Sequence, residues 1–168
     1  SYQVVNTIKY SFSFTGASAL ITETLVIAEE YNKLNDWNAV RISLLDNNHL
    51  NKIKQGTFKR EFSEIKKRLS LLNADQIQLM IQGSYDDAKS MILLSLVKTY
   101  PFVYDFIAEV LLNKYQLFDR NLLESDYTRF VNSKSLQHPE LERLTEITYK
   151  KVKQVVFKLL QQVGLITN

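Results

Sequence analysis

An all-α fold, a compact bundle of about eight helices, is what the sequence predicts, and three observations carry that prediction. Only four Gly and two Pro punctuate the 168 residues, so breakers of helices and makers of hairpins are scarce. The long runs between them repeat apolar residues at helical spacing. Apolar residues make up 45% of the chain, including nine Tyr, nine Phe and one Trp, which is ample material for one core of this size. No repeat, low-complexity tract or Gly/Ser/Pro linker divides the series, so residues 1–168 are expected to form a single helical domain.

At the start, "YSFSFTG" alternates aromatic and small polar residues from Tyr10 to Phe14 before Gly16. This period-2 pattern predicts a short strand or extended arm over residues 1–16, whose aromatic face packs on the protein's own helices. In "SALITETLVIAEEYNKL", Ser18 is a candidate N-cap, with Leu20, Ile27, Tyr31 and Leu34 on one helix face. Asp36 can cap a second helix in which Trp37, Val40, Leu44 and Leu45 follow helical spacing. In "TFKREFSEIKKRLSLL", Thr57 to Leu72, a helical wheel gathers Phe58, Phe62, Ile65, Leu69 and Leu72 within a stripe about 80° wide. The rest of that circumference carries Lys59, Arg60, Lys66, Lys67 and Arg68. Asn73 begins a short helix that stops at Gly83, a residue suited to a left-handed helix end. Ser84, with Asp86 and Asp87 in the first turn where carboxylates suit the helix dipole, opens a buried helix ending before Pro101. Pro101 opens the next, with Phe102, Phe106, Val110 and Leu117 on its apolar face. Beyond a loop near Asp119 to Leu122, "ESDYTRFVNSK" predicts a shorter helix. "HPELERLTEITYKKVKQVVFKLLQQVGLI" predicts a long one, opened by Pro139 and closed near Gly164, after which "GLITN" can extend as a strand.

Several functional classes are excluded or disfavoured. There is no cysteine, which removes disulfides, thiolate metal sites and a Cys nucleophile and fits a reducing, cytoplasmic setting. The longest uncharged stretch, Tyr10 to Thr22, spans thirteen residues, whereas a bilayer crossing needs about twenty apolar ones. No continuous apolar run follows Lys9, so no secretory signal is expected. His49 and His138 are expected at helix boundaries, neither with a second ligand at helical spacing. Neither a Gly-rich phosphate loop, nor a nucleophile elbow, nor an H-E-x-x-H is present. Asp86 and Asp87 would diverge by about 100° on a helix, poor geometry for a carboxylate pair. The expectation is a non-enzymatic protein with no catalytic residue, metal or cofactor.

Charge is segregated. Residues 52–68 hold seven bases and two acids, and residues 135–168 hold five and three, while the other segments are acidic on balance. In the last helix, Arg143, Lys150, Lys151, Lys153 and Lys158 fall opposite Val152, Val155, Leu159 and Val163. A solvated face is the plain reading of each helix. Against it, Lys52, Lys54, Lys59, Arg60, Lys66, Lys67 and Arg68 are met only by Glu61 and Glu64, rather than interleaved with acids at i,i+4. Such clusters raise the local potential and release counterions from phosphates. These twelve bases are the candidate nucleic-acid contacts.

The segments "YSFSFTG", "DWNAVR", "YPFVYDFIAEVL" and "HPELERLTEITYKKVKQVVFKLLQQVGLI", in this order, resemble the BrxA family, the small helical component of bacterial BREX phage-defence systems. The likeness runs from Lys9 to Ile166, nearly the whole chain. It implies a non-enzymatic accessory protein similar to the RNA-binding antitermination protein NusB, with a DNA-binding, helix-turn-helix-like region, here residues 120–168. It also implies neighbours in the system: a methyltransferase, an alkaline-phosphatase-like protein, an ATPase and a Lon-like protein. The bases in the matching helix Tyr149 to Leu160 are all Lys, which suits point contacts to phosphate rather than bidentate recognition. The leading expectation is a cytoplasmic subunit holding double-stranded DNA. The alternatives are a protein adaptor whose basic helices and aromatic arm dock on an acidic partner, and an RNA-binding protein.

Overall fold

The computed structural model describes residues 8–46 and 55–167. Lys52, Lys54 and His49, singled out in the sequence, lie outside them. Every regular element among the described residues is helical: α1 (Ile21–Leu34), α2 (Trp37–Asp46), α3 (Phe58–Leu69), α4 (Ala74–Gln82), α5 (Tyr85–Thr99), α6 (Pro101–Phe106), α7 (Leu112–Gln116), α8 (Glu124–Ser135), α9 (Pro139–Glu142) and α10 (Glu146–Gln162). The α6 helix runs through a π-helical stretch, Ile107–Leu111, into α7, so these three form one rod. No single helix among the described residues is long and apolar enough to cross a membrane.

The expected caps hold where a side chain can reach the first free amides. Asp36 Oδ1 accepts from the Ala39 amide at 2.9 Å. Asn73 and Gln76 form a reciprocal capping box at the start of α4, as do Ser84 and Asp87 at the start of α5. Ser18 is not the cap of α1. Leu20 occupies that position in a left-handed conformation, and the Ser18 carbonyl instead accepts a bond from Arg68.

Gly83 ends α4, but at φ −77 and ψ −173 rather than in the left-handed region. Its reason for being glycine is space. A Cβ there would stand 2.6 Å from the Leu79 carbonyl oxygen and 2.7 Å from Asp87 Cβ and Oδ2. The abrupt joint between two capped helices leaves no room for a side chain.

The predicted C-terminal helix is two helices. Pro139 opens the four-residue α9, and Thr145, whose Oγ1 accepts from the Thr148 amide at 3.2 Å, opens α10. A second N-cap inside the run therefore restarts the helix. Arg143 consequently lies at the C-terminus of α9, off the basic face of α10. The "GLIT" segment forms turns rather than a strand: Gly164 has φ 82, and the Leu165 amide closes back on the Leu160 carbonyl at 2.9 Å.

The N-terminal arm is the other departure. Ser13–Gly16 form a 3-10 turn rather than a strand, although the aromatic face packs inward as expected. Tyr10 and Phe14 are buried and Phe12 packs against the core. Phe14 meets Tyr100 at 5.0 Å and Phe12 meets Phe102 at 5.3 Å, both edge-on, while Tyr10 stacks flat on His138 at 3.6 Å. The Tyr10 amide donates to Glu140 Oε1 at 2.7 Å, its hydroxyl to Asp105, and the Ala19 amide to Gln162 Oε1 at 2.9 Å. This segment thus ties α3, the Tyr100 joint between α5 and α6, α6, α9 and α10 together. His138 sits at the N-terminus of α9, a helix boundary as expected, but as a buried stacking partner.

Candidate nucleic-acid interface

On α3 the apolar stripe is buried as predicted, from Phe58 through Phe62, Ile65 and Leu69 to Leu72. The two flanks of that stripe meet different surroundings. Lys59 and Lys66 lie within about 20° of each other on one flank, while Glu61, Glu64 and Arg68 lie on the opposite one. The N-terminal turn covers this second flank.

Arg68 is accordingly not on the exposed face. It is 1% exposed, with Nε donating to the Tyr100 hydroxyl at 2.8 Å and Nη1 to the Ser18 carbonyl at 2.8 Å. Its long stem lets a residue at the edge of the apolar stripe be drawn into the core once a neighbouring segment supplies acceptors. Lys67 is also engaged, with Nζ 2.9 Å from Glu64 Oε1 and 2.7 Å from Ser13 Oγ. Burial by itself would raise the Glu64 carboxyl, but hydrogen bonds from Tyr100, Lys67 and Ser13 hold it below its ordinary value. Lys59, Arg60 and Lys66 are exposed and have no ion-pair partner among the described residues.

The α10 helix buries Val152, Val155, Val156, Leu159 and Leu160, matching the predicted face. Of its bases, Lys150 is 3.3 Å from Glu146 on the surface, and Lys153 reaches Glu124 at the start of α8, 3.2 Å away. Lys151 and Lys158 are exposed and unpaired among the described residues. Arg143 is exposed at the end of α9.

The two basic helices, far apart in sequence, converge. A groove of about 770 Å³ runs between the turn from Thr15 to Leu20 and the outer face of α10. Lys151, Lys153, Gln154, Lys158 and Gln161 line it from α10, Glu124 from α8 and Glu61 from α3. Gly16 also lines it, and a Cβ there would stand 3.6 Å from Arg60 Cδ. The sequence held no signal for this meeting, because it depends on how the turn docks between α3 and α10.

A second cleft, between α7 and α8, is dominated by Lys114, which lies 3.0 Å from both Asp119 and Asp126. These charges satisfy one another and tie the loop to both helices. No group of three His, Asp or Glu able to hold a metal ion occurs among the described residues.

The family model for BrxA matches residues 8–168, so the chain belongs to the BrxA family of BREX phage-defence components. A protein described as "BREX protein BrxA" from Escherichia coli O9:H4 (strain HS) is 26% identical over 151 residues, covering 90% of this chain and 71% of that protein. One of the same description from Bacillus cereus (strain H3081.97) is 26% identical over 106 residues, 63% of this chain and 53% of the relative. A third, from Paramagnetospirillum magneticum (strain ATCC 700264 / AMB-1), is 23% identical over 163 residues, 95% of this chain and 80% of the relative. The fold is similar to the crystal structure of an uncharacterized protein from Magnetospirillum magneticum, with a TM-score of 0.79 and 20% identity, covering 96% of this chain and 82% of that one.

Proposed function

We propose that this BrxA-family chain is a non-enzymatic, cytoplasmic accessory subunit of a BREX-type defence assembly that binds nucleic acid, double-stranded DNA foremost, through backbone phosphates. The observation that carries the reading is the segregation of unpaired cations. Lys59, Arg60 and Lys66 on α3, and Lys151 and Lys158 on α10, stand exposed without ion pairs among the described residues, while Arg68 and Lys67 are committed to the fold. Unpaired surface cations exchange condensed counterions for phosphates at little structural cost. Residues 120–168 supply the helix-turn-helix-like part, with α8 and α9 supporting α10, whose exposed face approaches the duplex. The methyltransferase, alkaline-phosphatase-like protein, ATPase and Lon-like protein are the proposed partners in the assembly.

Mobility shifts with duplex DNA and RNA at two salt concentrations test the reading. With about five phosphates neutralised, affinity for duplex DNA falls by about two to three orders of magnitude between 50 and 200 mM salt, whatever its sequence. Tighter binding to RNA would assign the same face to RNA. Absence of binding at low salt would leave the protein-adaptor reading in its place.

A further inference from the structure

We infer that the phosphate backbone is seated in the groove between the Thr15–Leu20 turn and α10, gripped by Lys151, Lys158 and Arg60, and that Glu124 holds Lys153 in reserve as an internal competitor for phosphate. The inference rests on the nucleic-acid reading above and names the place and the regulation of the contact.

Three observations carry it. First, cations from both basic helices stand at this recess: Lys151 and Lys158 line it directly, and Gly16, which also lines it, lies beside the Arg60 side chain. A concave surface flanked by like charges focuses the field more than the convex flank of α3, where Lys59 and Lys66 project. Second, neutral hydrogen-bonding residues line the same recess, Gln154, Gln161 and Ser18. These can meet phosphate and sugar oxygens without adding charge. Third, the groove holds carboxylates as well, three lysines against the two glutamates Glu61 and Glu124.

Glu124 is the one with a cation. Its Oε1 lies 3.2 Å from Lys153 Nζ, and its side chain is 81% exposed against 27% for the lysine. An exposed ion pair of this kind contributes little to stability, so phosphate can displace the carboxylate from Lys153. Each bound phosphate there must outcompete Glu124, which lowers affinity and makes release easier. Removing that carboxylate should therefore tighten binding, an effect that damage to the fold does not produce.

The test is a charge-matched comparison by mobility shift over a salt series, using wild type, Lys151→Glu with Lys158→Glu, Lys59→Glu with Lys66→Glu, and Glu124→Gln, each with duplex DNA, single-stranded DNA and RNA. Both double variants change net charge equally. The groove pair is expected to weaken binding at least about tenfold more than the outer pair and to flatten the salt slope by about two units. Glu124→Gln is expected to bind about threefold tighter, with a slope steeper by about one unit. If wild type binds and the outer pair costs as much as the groove pair, or if Glu124→Gln leaves affinity unchanged, the groove assignment is overturned while nucleic-acid binding stands. If wild type binds none of the three, the broader reading fails and this inference falls with it.

Discussion

Arg68 Nε donates a hydrogen bond to the Tyr100 hydroxyl across 2.8 Å inside the core, and that hydroxyl donates in turn to Glu64. A buried guanidinium is thereby linked to its carboxylate through a phenol rather than by direct contact. The Tyr100 ring also lies 5.3 Å beneath the guanidinium. Because Lys67 and Ser13 converge on the same Glu64 oxygen, one small network fixes α3, the start of α6 and the N-terminal turn. Of its members, Arg68 and Lys67 read in the sequence as parts of a basic surface.

Tyr100→Phe leaves the ring in place but strips Arg68 of an acceptor and Glu64 of a donor. A loss of about 1–3 kcal/mol is expected, read by urea or thermal unfolding. Tyr127 is the control, because its buried hydroxyl has no hydrogen-bond partner among the described residues. Tyr127→Phe should leave stability unchanged or raise it. Equal losses from the two variants would show that ring packing, not the network, is what matters.

Acid should destabilise the protein. Burial acts to raise Glu64, Glu140 and Asp126, yet all three are held below their ordinary values: Glu64 by Tyr100, Lys67 and Ser13, Glu140 by the Tyr10 amide, its own amide and His138, and Asp126 by the Leu123 amide and Lys114. A depressed carboxyl contributes stability above the unfolded value that is lost as pH falls through the folded one. Melting temperature should therefore drop progressively below about pH 4.5, and less steeply in Glu64→Gln.

Alkali should do the same from the other side. Tyr10, Tyr100 and Tyr127 are pushed above the ordinary phenol value of 10.0, foremost by burial. Because the folded state holds those protons more tightly, stability falls as pH rises past 10.0. The phenolate absorbance of these three buried residues should appear together with unfolding rather than before it, as a step separate from that of exposed tyrosines such as Tyr115.

Gly83→Ala should cost about 1–3 kcal/mol, since the new methyl meets backbone and the capping carboxylate rather than a flexible side-chain end. Gly56→Ala, where a Cβ meets nothing within 4 Å, should be neutral or slightly stabilising. Parallel denaturation curves distinguish the two sites.

Phe14→Ala empties a fully buried position and should cost about 3–5 kcal/mol, with Phe12→Ala costing less because it is only partly buried. If stability is unchanged and partner capture fails instead, the N-terminal segment is an interaction element.

The sequence by itself determined the helical class, most of the inward faces and most helix starts. Leu34, Leu45 and Leu117, placed on apolar faces by their spacing, end exposed at or near helix C-termini, where no segment among the described residues covers them. Phe58, Phe62, Ile65 and Leu69 declare their face by spacing alone, and Asn73 and Ser84 declare their caps because the partners lie three residues away. Those are local relations, written along the chain. The division of the last helix was partly legible, since Thr145 is a cap-type residue within the run, but the apolar spacing continued across it and masked the break. Only the tertiary structure decided the fate of the charges. Arg68 and Lys59 are indistinguishable as neighbours of an apolar stripe, yet the turn around Ser13 to Ser18 covers one flank of α3 and leaves the other in water. The same turn brings Arg60 beside a groove lined by α10 residues about ninety positions later. Helical periodicity fixes how far a side chain points from the core, but what lies opposite it is set by which segment docks there, and that depends on long-range packing.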